Sequence, residues 1–281
     1  MTVGVWFYGL ATVATGMLDI VWGQFEASHQ PMKALGQHIV GEQVLAYITG
    51  LWLVAAGIAI LWRRTARIGA VASAIIYLGF AVLWLPRFFA LIHSFGFGIG
   101  VIVFGLGGAA AQLLLISPAL VVYAETAKLD AVWRKRAAII ARWMLGLPPI
   151  AFGLGHLINL HAYARFVPHW VPVKLFWIVL TGIAFVLAGG AIVTGIRDVL
   201  AARLLAMMLL LFDAIVEIPP VFMRLHSQEA WGGAVYNLAA IGACLAFTAL
   251  VESRRQTEPG KPGVAANYAT AHPSESLVAG S

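Results

Sequence analysis

Residues 173–195 read VKLFWIVLTGIAFVLAGGAIVTG, an apolar run whose one charged residue, Lys174, sits at its edge. About 20 such residues wound into an α-helix cross the roughly 30 Å hydrocarbon layer of a bilayer and satisfy every backbone N–H and C=O internally. Residues 44–62, VLAYITGLWLVAAGIAILW, are a second run of the same kind. The two share a pattern as well as a composition, because Thr49-Gly50 and Gly57 recur 132 residues later as Thr181-Gly182 and Gly189. Together these runs set the fold class: apolar spans, arranged in a repeat.

Working outward, apolar runs between charged or Pro-containing breaks predict eight helices, near 4–24, 44–62, 67–86, 97–120, 138–160, 173–195, 200–219 and 232–251. The composition agrees, with 61% hydrophobic and 11% charged residues, whereas a soluble chain carries about a quarter charged residues. The expected fold is an all-α integral membrane protein of eight transmembrane helices, built as two parallel four-helix repeats. Residues 1–122 form the first repeat, 123–137 a cytoplasmic linker, 138–251 the second repeat, and 252–281 a disordered cytoplasmic tail too polar to bury a core. The first run lacks a basic stretch before it and continues past Asp19 to Trp22, which reads as a retained span rather than a cleaved signal.

The repeat extends beyond the glycines. Ala81, Pro86, Phe89, His93, Ser94 and Gly100 recur 133 residues later as Ala214, Pro219, Phe222, His226, Ser227 and Gly233. Gly16-Met17-Leu18-Asp19 faces Gly153-Leu154-Gly155-His156. Four helices per copy make both copies enter the bilayer from the same side, so the repeats are parallel rather than inverted. Gly182, Gly189, Gly190 and Gly195, with Gly100, Gly105, Gly107 and Gly108, are expected to let helices approach closely in a solvent that offers no hydrophobic drive between them.

Charge orients the chain. Arg63, Arg64, Arg67, Lys128, Arg134, Lys135, Arg136, Arg142, Arg197, Arg203, Arg254, Arg255 and Lys261 share one side, against Lys33, Arg87, Arg165, Lys174 and Arg224 on the other. The basic-rich side stays in the cytoplasm, so both termini are expected inside a bacterial-type inner (plasma) membrane. Trp22, Trp84, Trp170 and Trp231 then fall at the outer interface, and Trp62, Trp133 and Trp143 at the inner one. The net charge of +6 is this topological signal and not a nucleic-acid surface. A single cysteine, Cys244, excludes thiol redox chemistry within one chain. The eight histidines show no metal-ligand spacing, so no metal site is expected.

Few ionisable groups lie inside the spans, and each needs a partner, water or a neutral form. Asp19 is in the first helix, His156 and Asn159 in the fifth, and Asp213 and Glu217, four apart on one face, in the seventh. All fall from the middle to the outer end of helices that run outward, so the five are expected to line one outward-facing polar pocket. His93 and His226, after the repeated prolines, are candidates for its outer gate. A His and acid set of this kind suits proton exchange or a titratable, quinone-like ligand. The other reading of the same residues is that they tie helices together or hold trapped water.

The stretch HLINLHAYARFVPHWVP from His156 to Pro172, followed by TGIAFVLAGG from Thr181 to Gly190 and then Arg203, resembles the DoxX-like family of four-helix bacterial membrane proteins. The shared features are a His ending the first helix of the unit, a Val-Pro-x-Trp-x-Pro loop, a Gly-rich second helix and a basic turn. The resemblance covers residues 138–251, and residues 1–122 join through the internal repeat, so the chain resembles a tandem duplication. It departs from the family where relatives carry a Glu shortly after the first Gly of the second helix: Phe185 or its neighbours and Leu53 occupy that region. The resemblance implies a four-helix bundle per unit and an association with quinone-linked oxidoreductases. Three functions follow as expectations: an accessory or ligand-binding subunit for a quinone-like or lipidic molecule, a quinone-linked oxidoreductase subunit acting with a membrane or redox protein partner, and a proton-coupled small-molecule transporter.

Overall fold

The computed structural model describes residues 1–26 and 40–257, so Lys33 and the tail beyond Thr257 lie outside the described residues. The elements are α1 (Val3–Trp22), α2 (Glu42–Leu61), α3 (Ala66–Phe95), α4 (Ile99–Thr126), α5 (Ala131–Ile158), the short α6 (Leu160–Tyr163), α7 (Lys174–Thr194), α8 (Asp198–Phe212), a π-helical turn (Asp213–Glu217), α9 (Ile218–Met223) and α10 (Gln228–Thr257). Eight of these helices, with α8 through α9 counted as one, are long and apolar enough to cross a membrane. The chain is a multi-pass membrane protein. Eight crossings leave the two ends of the helical bundle on the same face.

Several boundaries differ from the expected ones, each for a physical reason. The third helix runs to Phe95 rather than stopping at Pro86, because a transmembrane helix tolerates a proline whose missing N–H neighbouring groups can compensate. His93 therefore sits in a helix and not in a loop. The expected linker at 123–137 is mostly helical, and only Ala127–Asp130 separates α4 from α5. Asp130 starts the fifth helix by accepting a hydrogen bond from the Trp133 N–H at 2.8 Å, which satisfies one of the donors a helix leaves open at its start.

The helices close a ring. Each of α1, α2, α3, α4, α5, α7, α8 and α10 packs on the next in that order, α10 returns to α1, and α4 meets α10 across the middle. The outer surface is apolar, with Leu51, Leu187 and Leu204 each more than 60% exposed. In lipid that surface carries no penalty. Polar side chains turn inward instead: the Tyr8 hydroxyl donates to Ser73 Oγ at 3.1 Å, Ser117 Oγ to the Ala141 carbonyl at 2.8 Å, and Tyr236 to the Ala111 carbonyl at 3.2 Å.

Glycines set the closest approaches. A Cβ on Gly16 would stand 2.4 Å from the Gly50 carbonyl oxygen, and one on Gly57 2.8 Å from that of Gly9, so α1 and α2 touch backbone to backbone. The pair α5 and α7 does the same through Gly153 against the Gly182 carbonyl at 2.5 Å and Gly189 against that of Gly146 at 2.5 Å. Gly190 and Gly107 differ from the expectation, since nothing lies within 4 Å of a Cβ on either.

The two halves differ in their interiors. In the N-terminal half, Phe25, Tyr77, Phe80 and Trp84 fill the space among α1 to α4, with Phe25 edge-on to Phe80 at 6.0 Å. Trp84 is 5% exposed and lies beneath the Arg87 guanidinium at 3.9 Å, so it packs in the core and not at the interface where the sequence placed it. Gly108 leaves the room that its ring occupies.

Candidate functional site

A cavity of about 520 Å³ lies among α5, α7, α8, the π-turn and α10, with the loop after α6 over it. Volumes of roughly 300–1,000 Å³ are those of small-molecule sites. Its walls are mainly aromatic and aliphatic, including Phe152, Phe166, Trp170, Trp177, Phe185 and Phe212. Polar groups reach it at six positions: His156, Tyr163, Thr181, Glu217, Tyr236 and Asn237.

The backbone around Glu217 explains why there is space. Pro219 and Pro220 have no N–H, so they cannot donate to the carbonyls of Ile215 and Val216 four residues back. The helix relaxes into a π-turn over Asp213–Glu217, closed by the Ile218 N–H on the Asp213 carbonyl. Such turns recur at functional sites because they widen the helix and re-aim side chains. Here Ile215, Val216 and Glu217 all face the cavity. Gly233 on α10 gives Glu217 its room, as a Cβ there would collide with the carboxylate.

His156 is held in one orientation. Its Nδ1 is 2.8 Å from the Phe152 carbonyl, its ring stacks on Tyr163 at 4.1 Å and 28°, and Phe185 lies 5.4 Å away. Burial holds the Tyr163 phenol above its ordinary range, so this hydroxyl keeps its proton at neutral pH. Thr181 Oγ1 donates back to the Trp177 carbonyl at 2.8 Å, and the Tyr236 hydroxyl is committed to Ala111.

Of the five residues expected to share a pocket, the structure brings His156 and Glu217 together on this cavity. Asp213 belongs to the same π-turn but is buried beside Asn237 and does not line the cavity, and its Oδ1 has no hydrogen-bond partner among the described residues. Asn159 ends α5 and donates from Nδ2 to the Gly100 carbonyl at 3.3 Å, fastening α5 to α4. Asp19 lies in the other half, fully buried, and its Oδ1 accepts from the Glu26 N–H at 2.7 Å to hold the chain leaving α1. His93 and His226 are exposed and line no part of the cavity; the His226 carbonyl accepts from Trp22 Nε1 at 3.1 Å.

Tyr163, Thr181, Tyr236 and Asn237 were not expected from the sequence to line a pocket. Asn237, an amide within an apolar run, was the one legible signal among them; Tyr and Thr are ordinary in membrane helices. Among the described residues no group of three or more His, Cys, Asp or Glu side chains could hold a metal ion. No protein-family model, curated protein or solved structure matches the chain.

Proposed function

We propose that the protein binds a small apolar molecule, quinone-like or lipidic, in the cavity of its C-terminal half, and serves as an accessory or ligand-binding subunit of the membrane. The observation that carries this reading is the cavity itself: about 520 Å³, apolar over most of its wall, with His156 and Glu217 converging on it from α5 and the π-turn. A concave, mostly apolar site with a few placed polar groups is the usual form of a small-molecule site. The aromatic walls suit a flat ring, and the position within the bilayer suits a ligand dissolved in lipid.

The DoxX-like resemblance and the tandem duplication belong to the same proposal. They are supported by paired contacts: Gly9, Gly16, Gly50 and Gly57 join α1 to α2 as Gly146, Gly153, Gly182 and Gly189 join α5 to α7. Asp19 with Glu26 and His156 with Tyr163, each pair 137 residues on from the first, also touch in both halves. On this reading Phe80 and Trp84 fill in the first copy what Asp213 and Glu217 leave open in the second. The basic-rich face, which holds both ends of the bundle, is placed in the cytoplasm of a bacterial-type cell, so the cavity lies toward the outer side.

Calorimetric titration of the protein in nanodiscs with a short-chain benzoquinone and its quinol tests the reading. At least one redox form should bind in the micromolar range, and Glu217→Ala and His156→Ala should each weaken that binding by roughly tenfold or more, as expected when a buried hydrogen bond is lost. Membrane yield should be unchanged. Failure of both forms to bind the wild-type protein would overturn the proposal.

A further inference from the structure

Resting on the reading of this cavity as a ligand site, we infer that it opens sideways into lipid, between α7 and the π-turn. Its ligand is then a tailed amphiphile, whose ring binds inside while its hydrocarbon chain stays in the bilayer. The other sides of the cavity are closed. α5 and α7 meet backbone to backbone through Gly153 and Gly182, and α10 packs along α8, the π-turn and α9. α4, packed on both α5 and α10, backs the cavity with Leu114. The loop after α6 roofs it with Phe166, Trp170 and Pro172. That loop is folded on its own turns, in which the Phe166 N–H donates to the Tyr163 carbonyl and the Val171 N–H to the Pro168 carbonyl, each at 3.1 Å.

The side between α7 and the π-turn is different. α7 and α8 leave a common turn at residues 195–197 and are still joined at Phe185 and Phe212, whose rings meet edge-on at 6.0 Å. Beyond that contact α8 widens into the π-turn, and among the described residues α7 has no comparable packing on the π-turn or on α9. Trp177 on α7 and Ile215 on the π-turn both line the cavity, yet they are 44% and 38% exposed. Phe185 and Leu209, deeper on the same two walls, are buried. The flanks of the gap are apolar, and the Thr181 hydroxyl beside Trp177 is turned back onto its own helix. Lipid wets such an opening without penalty. A chained molecule that reached the ring site through water would have to strip every methylene of its chain from hydrocarbon on the way. Through a side opening the ring alone changes surroundings, so the site suits an alkylated ring and gives no advantage to a water-soluble one.

Two measurements on the full chain in nanodiscs test this. A nitroxide on Thr181→Cys, in a Cys244→Ala background, reports what fills the cavity mouth without any ligand. Its collisions with oxygen, which concentrates in lipid, should be as frequent as those of the same label on Leu187→Cys, on the exposed apolar face of α7. Its collisions with a water-soluble nickel chelate should be as rare. A nickel rate closer to that of a label on His169→Cys, exposed in the loop, means that the cavity opens to water and overturns the inference. The chain is tested by calorimetric titration with two benzoquinones that differ only in a decyl group. Wild type should prefer the decyl homologue, and in Ile215→Trp, which fills the gap, that preference should fall several-fold; partition into the nanodisc cancels between the two proteins. An unchanged preference overturns the inference and leaves the ligand site intact. If neither benzoquinone binds, the ligand site falls and the tailed ligand with it, while the nitroxide comparison still decides whether the cavity opens to lipid.

Discussion

Asp198→Ala is expected to destabilise the protein by about 3 kcal/mol, the lower end of the range for breaking a buried ion pair. The Asp198 side chain is fully buried, with Arg142 Nη2 2.7 Å from Oδ2 and Arg255 Nη2 2.7 Å from Oδ1. It also opens α8, where its Oδ1 accepts from the Val199 N–H at 2.8 Å and its charge faces the positive end of the helix. One carboxylate thus ties α5 to the start of α8 and the end of α10. Removing it strands Arg142, which is 23% exposed and otherwise held by the Ile192 carbonyl at 3.0 Å and the face of Phe247 at 5.5 Å. Arg255 is 59% exposed and can return to water, so its share of the loss is small. Heating in mild detergent, followed by the fraction that remains monodisperse, should show a midpoint several degrees lower. Arg203→Ala, which breaks the exposed pair with Glu252, should barely move it. Equal midpoints for Asp198→Ala and wild type would remove the staple from the account.

What was legible in the sequence follows from what one dimension can encode. Hydropathy fixes which residues cross the bilayer, and the eight spans were readable because lipid tolerates little else. It also suggests depth along each helix, and His156 and Glu217, expected at matching levels, both line the cavity. Depth does not give the lateral order of helices. Asp19 has a suitable depth on α1, yet α1 packs between α2 and α10, whereas the cavity is walled by α5, α7, α8, the π-turn and α10. The proline doublet Pro219-Pro220 was visible, but Pro86 was read as the same kind of break. Only Pro219-Pro220 coincides with a π-turn; Pro86 and the doublet Pro148-Pro149 sit in unbroken α-helices. Tryptophans were assigned by position alone, which sent Trp84 to the interface when its neighbour Gly108 gave it a place inside.

Two adjacent glycines of α7 should respond in opposite ways, with Gly189→Leu among the most damaging substitutions in the chain and Gly190→Leu nearly silent. The sequence makes them equivalent; the packing does not. A Cβ on Gly189 would stand 2.5 Å from the Gly146 carbonyl oxygen and 3.0 Å from the Ile150 N, both backbone atoms of α5. No rotamer relieves a clash that begins at Cβ, so the two helices must separate or slide. Overpacking costs typically about 1–3 kcal/mol and more where backbone must move. Separation also forfeits the dispersion contacts that hold helices together in lipid, where no hydrophobic term replaces them. Gly146 and Gly153, which face the same seam from α5, would lose their contacts as well. On Gly190 nothing lies within 4 Å of the added Cβ, and a leucine there meets lipid and improves the local helix propensity by several tenths of a kcal/mol. Gly189→Ala should already show a lowered thermal midpoint, and Gly189→Leu a loss of monodisperse protein. A Gly190→Leu variant as damaged as Gly189→Leu would mean that the α5–α7 seam runs along a different face of the helix. Because that seam carries Phe152 and His156 on one side and Thr181 and Phe185 on the other, the same variant should also lower ligand affinity. Gly57→Leu, at the α1–α2 seam that lies outside the cavity wall, should lower stability and leave the affinity of the surviving folded fraction unchanged.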